Sequence, residues 1–203
     1  MLRIGLTGGI ASGKSTVCGM LRERGCRIID ADQVAHQLIL KGQPCYEPVV
    51  RGFGPEVLDA EGEIDRKRLG GLVFENRHLL ETLNSIVHPC VIRQILAELD
   101  IMEKQDSHST VVVDASLMIE SGFYKHFRRL VVVTCTMAQQ MNRLMSRNGL
   151  SEEAARQRIS VQMPLEQKIR YADYVVDNSG SLDETRTQVD ALIKKWSATS
   201  WTM

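Results

Sequence analysis

Gly8, Gly13, Lys14 and Ser15 stand at the spacing G-x-x-x-x-G-K-S within "GGIASGKST" (8–16). Glycine gives up more backbone freedom on ordering than any other residue, so three in nine positions point to a main chain that something bulky must approach. The chemistry this pattern suits is phosphate binding. Successive backbone N–H groups and the positive end of a helix would hold the β- and γ-phosphates of a nucleotide. Lys14 would lie along those phosphates as a point charge, and the Ser15 hydroxyl would ligate Mg²⁺. Gly8, Gly9, Ile10, Ala11, Ser12, Gly13, Lys14, Ser15 and Thr16 are therefore the candidate nucleotide contacts, with Thr16 near the α-phosphate.

Two further groups could act on that phosphate. "DAD" (30–32) offers two carboxylates. Either could cap a helix, but Asp32 is also placed to receive or orient the proton of an acceptor hydroxyl. Phosphoryl transfer passes through a loose transition state, so such a carboxylate would chiefly position the nucleophile. The segment "NRLMSRNGLSEEAARQRISVQMPLEQKIR" carries Arg143 and Arg147 one helical turn apart, followed by Arg156, Arg158, Lys168 and Arg170. Such a run can be a solvated face; together these cations suit a lid that brings guanidiniums to a transferring phosphoryl group and excludes water. Arg143 is the first candidate. Glu120 could touch substrate or metal. His36 reads as a surface or core histidine, and His88-Pro89 as the shaping of a helix start.

These groups need elements to hold them. "LRIGLT" (2–7) is an apolar run stopped by the glycines, as a buried parallel strand should be. A helix from Ser15 ends on Gly25, and "CRIID" (26–30) reads as a second strand. Strand, glycine loop, helix, strand is the setting the phosphate reading requires. Three more apolar strands follow at "TVVVDA" (110–115), "LVVVTC" (130–135) and "YVVD" (174–177). "TMAQ" (136–139) fits a capping box, Ser151 an N-cap, and "SLDE" (181–184) the start of a last amphipathic helix. Residues 31–104 hold helical stretches and no convincing strand; Pro89 should start, kink or break one of them. "KGQPCYEP" and "GFGPEVLDAEGE" read as turns, and "SATSWTM" as a frayed tail.

The expected fold is α/β: a five-stranded parallel sheet covered on both faces in the three-layer manner of a P-loop kinase, with a helical insertion and a helical lid. Residues 1–32 and 105–203 would form the core, the lid spanning about 137–170, and 33–104 the insertion. Ligands in such sheets bind beyond the carboxyl ends of the strands, where the glycine loop, Asp30–Asp32, Asp114–Glu120 and Thr134–Thr136 should converge.

Bulk composition narrows the class. The 25 Lys and Arg residues balance 25 Asp and Glu, which argues against a large nucleic-acid face. Five cysteines at 18, 26, 45, 90 and 135 form no C-x-x-C and no zinc framework, so reduced thiols in a cytoplasmic protein are expected. No apolar run has the length of a signal peptide or a bilayer span, so no membrane partner is expected. The residues alone thus describe a phosphotransferase or a nucleotide-hydrolysing protein.

Several motifs together resemble one family, dephospho-CoA kinase. "GLTGGIASGKST" is similar to its opening, "IIDAD" with His36 to its second signature, and "LNSIVHP" to a motif of its helical insert. "VVVDASLMIESG", "QMNRLMSRNGLSEEAARQRISVQ" and "ADYVVDNSG" resemble its third strand, its lid and its last strand, so the resemblance spans about residues 2–195. It implies phosphorylation of the ribose 3′-hydroxyl of dephospho-CoA by Mg·ATP, the last step of coenzyme A synthesis. It also implies that Asp32 is the catalytic carboxylate, Arg143 the lid arginine, Asn178 a residue on the adenine side, and the helices of about 33–104 an acceptor-binding insertion. ATP and dephospho-CoA would be the only partners of a monomer or weak homo-oligomer. One departure stands out: Ser116 occupies the place of a proline in the family's Pro-Leu-Leu-Phe-Glu, which frees a backbone N–H and relaxes φ. Two other readings compete. Another small P-loop kinase would use the same catalytic parts on a different nucleotide or alcohol. A non-catalytic nucleotide switch would be expected to show a guanine-reading N-K-x-D or a switch-like D-x-x-G after the third strand, and neither stands there.

Overall fold

Valine and isoleucine crowd the strand segments with hardly a polar residue between them, which is the pattern of strands buried on both faces. The computed structural model describes residues 1–199, apart from the side chains of residues 74, 75 and 199. Strands β1 (Leu2–Gly8), β2 (Arg27–Asp30), β3 (Thr110–Asp114), β4 (Arg129–Thr134) and β5 (Tyr174–Asp177) form one sheet in the order β2-β3-β1-β4-β5. Every pairing is parallel; Ile4 lies opposite Val112 of β3 and Arg129 of β4. Helices α1 (Lys14–Glu23), α6 (Met137–Asn148), α7 (Glu152–Ser160), α8 (Leu165–Ile169) and α9 (Leu182–Thr199) connect or follow these strands. Ile4, Leu6, Val112, Val131 and Val133 pack with Val17 and Leu21 of α1 and Val189, Leu192 and Trp196 of α9.

β1 is the central strand, and the chain leaves it toward β2 on one side and later toward β4 on the other. The crevice at its carboxyl end is the usual binding position in an open parallel sheet. Gly8 closes β1 there, Asp114 closes β3 and Thr134 closes β4.

By its contacts the chain divides into two compact units: Met1–Asp30 with the chain from Ile101 onward, and Ala31–Asp100. The second unit holds α2 (Ala31–Leu38), α3 (Tyr46–Phe53), a 3-10 turn at Pro55–Val57, α4 (Arg66–Glu75) and most of α5 (Arg77–Gln105). Asp65 caps α4 by accepting from the amides of Lys67 and Arg68. A single antiparallel bridge, Leu58 to Ile64, stands in what sequence reads as a turn. No described helix is long and apolar enough to cross a membrane.

Three local expectations change. "CYEP" opens helix α3 rather than a turn, because Pro48 falls in the first turn, where its missing N–H would have no partner anyway. Pro89 does not start or break a helix: α5 runs through it for 29 residues. A proline in mid-helix costs about 3 kcal/mol. Val87, Val91, Ile95 and Leu99 form a buried stripe on both sides of it, and each such side chain contributes about 1.5–3 kcal/mol. His88 accordingly sits inside a helix. Helix α9 also extends through residues 197–199 of the expected tail, and residues 200–203 lie outside the described residues.

Candidate active site

The glycine loop is a floor braced from below. Gln140 of α6 donates from Nε2 to the Ile10 carbonyl at 2.8 Å, and the Cys135 thiol lies 4.0 Å from the Ala11 carbonyl. Asn178, just past β5, donates from Nδ2 to the Ser12 carbonyl at 3.0 Å, and Arg143 adds a longer contact to it at 3.4 Å. Each carbonyl from 10 to 12 is thereby turned toward the protein. On the other side of the chain, the amides of Gly13, Lys14 and Ser15 have no hydrogen-bond partner among the described residues. They lie at the start of α1, where four N–H groups always lack a partner within the helix and the macrodipole is positive.

What the glycines admit is the protein itself. A Cβ on Gly8 would stand 2.5 Å from the Val133 carbonyl and 2.6 Å from Ser12 Oγ; one on Gly9 would stand 2.4 Å from Gln140 Nε2. Gly13 combines φ +97° with a Cβ position 1.9 Å from Asn178 Nδ2. Ser12 Oγ is buried with no partner among the described residues, an uncommon deficit for a native hydroxyl. The amide of Ile10 is also taken, by Gln162 Oε1 at 2.8 Å, so that residue is held on both sides.

Lys14 reaches the end of β3, where its Nζ donates to Ser116 Oγ at 3.0 Å. The family's proline could offer no hydroxyl at this position, so the departure at Ser116 supplies a contact to the loop lysine. The Ser116 carbonyl accepts from Lys168 Nζ at 2.7 Å and from Thr7 Oγ1 at 3.3 Å. Lys168 is fully buried and pairs with Glu120 Oε1 at 3.0 Å. Burial pulls its amine below the ordinary lysine range, and the Glu120 charge opposes that pull. Glu120 also accepts the Met163 amide at 3.0 Å, so its carboxylate serves internal contacts.

The other candidates separate. Arg143 is half-buried and joins the loop to the β5 end, its second nitrogen donating to the Asn178 carbonyl at 3.1 Å. Asn178 Oδ1 accepts from Thr185, so its buried carboxamide shapes the loop, a task beside the adenine contact the resemblance implies. Arg147 is exposed and donates to neighbouring Asn148; the structure does not bring it to the loop. Ser15 and Thr16 are exposed in the first turn of α1. In the helical unit, Asp32 is exposed in the first turn of α2, one residue after Ala31 follows the β2 terminus at Asp30, and His36 is half-buried near the end of the same helix.

No group of three or more His, Cys, Asp or Glu among the described residues could hold a metal ion. An exposed Ser15 beside unmet amides does suit a magnesium ion that arrives with nucleotide phosphates and keeps most of its waters. Two of the thiols are poor nucleophiles, because burial pushes Cys26 up to about 11 and Cys45 up to about 12. Sequence reasoning misses Gln140 and Gln162, and it gives Lys168 and Ser116 other parts, a lid cation and a departure from the family's proline. Gln140 has a signal in hindsight, since it shares the buried face of α6 with Leu144 four residues on. Lys168 stands out in sequence only as one cation of a charged run expected to serve the lid, and nothing there marks it as buried.

The comparisons with known proteins agree with this geometry. The family model for dephospho-CoA kinase matches residues 2–184. The chain is 46% identical over 197 residues to a dephospho-CoA kinase of Geobacillus kaustophilus, covering 97% of this chain and 98% of that one. A solved dephospho-CoA kinase from Campylobacter jejuni superposes with a TM-score of 0.71 at 30% identity, covering 97% of each chain. A solved structure from Thermus thermophilus reaches 0.79 at 32% identity, covering 96% of this chain and 97% of that one. With a braced phosphate loop at the centre of a five-stranded parallel sheet and this likeness along almost its whole length, the chain belongs to the dephospho-CoA kinase family.

Proposed function

We propose that the protein transfers the terminal phosphoryl group of ATP to the ribose 3′-hydroxyl of dephospho-CoA, giving CoA and ADP. The observation that carries the mechanism is the row of unmet amides at Gly13, Lys14 and Ser15, set on a loop whose carbonyls are all turned away. Such a row binds a phosphate chain without reorganising, and pre-placed donors contribute most to stabilising charge in a transition state.

Lys14 carries the positive charge that lies along the β- and γ-phosphates. Arg143 keeps the loop in shape and adds a second cation near it. Ser15, with phosphate oxygens and water, would hold a magnesium ion, which would supply neutralisation of the phosphates' negative charge. Asp32, two residues past the β2 terminus, orients the acceptor hydroxyl and takes its proton; this assignment rests on the family motif "IIDAD". The helices from residue 33 to about 104 would hold the rest of the acceptor, and α6 to α8 would form the lid. Arg147 is the weaker lid candidate, with Asn178 at the adenine side.

Purified protein given Mg·ATP and dephospho-CoA should form CoA and ADP in equal amounts, and ADP release should depend on the acceptor. Asp32→Asn should lower kcat by at least about 100-fold with the protein still folded, as expected for loss of a positioned general base. An undiminished rate would remove Asp32 from the mechanism. ADP release with another nucleotide or alcohol, and none with dephospho-CoA, would replace the substrate while leaving the kinase chemistry. Tight ATP binding with no transfer to any acceptor would make the protein a switch.

A further inference from the structure

Lys168 is an unusual expense in this fold. Burying an ammonium group carries a large desolvation penalty that only close pairing and full hydrogen bonding offset. Its side chain is fully buried, and its Nζ meets Glu120 Oε1 at 3.0 Å, Glu120 Oε2 at 3.2 Å and the Ser116 carbonyl at 2.7 Å. Two of these contacts lead to the phosphate loop. Ser116 turns its hydroxyl to Lys14 Nζ at 3.0 Å. Glu120 holds the Met163 amide, and the preceding residue, Gln162, holds the Ile10 amide of the loop.

We propose that Lys168 is a positioning residue for phosphoryl transfer: with Glu120 it fixes the Ser116 turn that holds the Lys14 ammonium, and ties that turn to the 162–163 segment gripping the glycine loop. A lysine on a four-carbon stem has many arrangements available. A fixed hydroxyl acceptor selects one of them before the nucleotide arrives, and that pre-placement lowers the barrier to transfer more than it improves binding. Lys168 itself touches no substrate in this scheme. The inference rests on the kinase reading above.

A kinetic cycle tests it. Lys168→Met and Ser116→Ala are compared singly and together in CoA formation from Mg·ATP and dephospho-CoA, with rates expressed per folded molecule from circular dichroism. Each single change should lower kcat about tenfold while the KM for ATP changes less than about twofold. Because both act through one link, the double variant should fall no more than about twofold below the worse single, the non-additivity expected of residues in one network. A normal kcat in folded Lys168→Met with only a lowered Tm would overturn the proposal. Losses that multiply to about a hundredfold would also overturn it, since the two residues would then act independently. Should Lys168→Met fail to fold, Glu120→Gln with Ser116→Ala completes the same cycle and is judged by the same two outcomes. Failure of the wild type to make CoA would instead remove the kinase reading on which the inference stands.

Discussion

The glycine loop and helix α7 lie in the same compact unit and are built on opposite principles. Each loop carbonyl from Ile10 to Ser12 faces a side chain drawn from the β4 end, α6 or the β5 end. Helix α7 buries one residue, Ala155, and its Arg156–Glu152 pair at 2.7 Å is exposed on both sides. A cavity of about 300 Å³, lined by Gly9, Met141, Ile159 and Leu165 among others, lies beside it. The loop is fixed by satisfied buried polar bonds; the helix is held by propensity, an N-cap and few packed atoms. The proposed transfer calls for a stiff floor under the phosphates and a cover that can open, and the buried hydrogen bonds to the loop carbonyls and the sparse burial of α7 suit those two parts.

Experiments that break the loop should show the largest effects. Gly13→Ala forces a side chain into positive φ and onto Asn178, and should cost about 3 kcal/mol in denaturant unfolding together with nucleotide binding. A cost below about 1 kcal/mol would mean that the loop adapts and is not stiff. Next, amide hydrogen exchange should run roughly a hundredfold faster in the middle of α7 than in the middle of α1, an opening energy lower by about 3 kcal/mol. Equal protection would erase the contrast. Gln140→Leu removes the donor to Ile10 from a site 3% exposed, leaves a buried carbonyl unpaired, and should cost about 1–2 kcal/mol. Smallest of all, Arg156→Ala should shift Tm by less than about 1 °C, because a solvated ion pair contributes little.

Lys168 adds a pH signature to the same comparison. Its amine is held below the ordinary lysine range in the folded protein, mainly by burial, so the unfolded chain binds the extra proton first as pH falls. Stability should therefore rise with pH through the window between the lowered and the ordinary value. That rise should be missing from Lys168→Met in thermal scans.

How much of this is legible in sequence follows from how each element is stabilised. The strands are runs of β-branched residues with no competing signal, and "YVVD" and its counterparts are read to within a residue or two. Thr136, Ser151 and Ser181 announce their helices because capping is local chemistry. The helix α3 escapes because a proline in a first turn and a proline in a loop look alike. Pro89 misleads because its local cost is outweighed by a buried stripe visible only once the partner surfaces are known. In the site, Lys14 and Ser15 are readable from the spacing of their motif. The bracing residues are readable only in part: Arg143 and Asn178 are already candidates in the sequence, whereas Gln140 of α6 and Gln162 meet the loop through tertiary packing that no motif marks.

The three glycines of the loop are excluded from change by three different obstacles: a main-chain oxygen of β4, the amide of Gln140 and the amide of Asn178. Trimming either amide would open room at one position only and would release the carbonyl it holds. The oxygen belongs to the backbone and no mutation can shorten it. A drifting lineage thus has no single-step exit from this motif, and even a pair of coordinated replacements would leave Gly8 where it is.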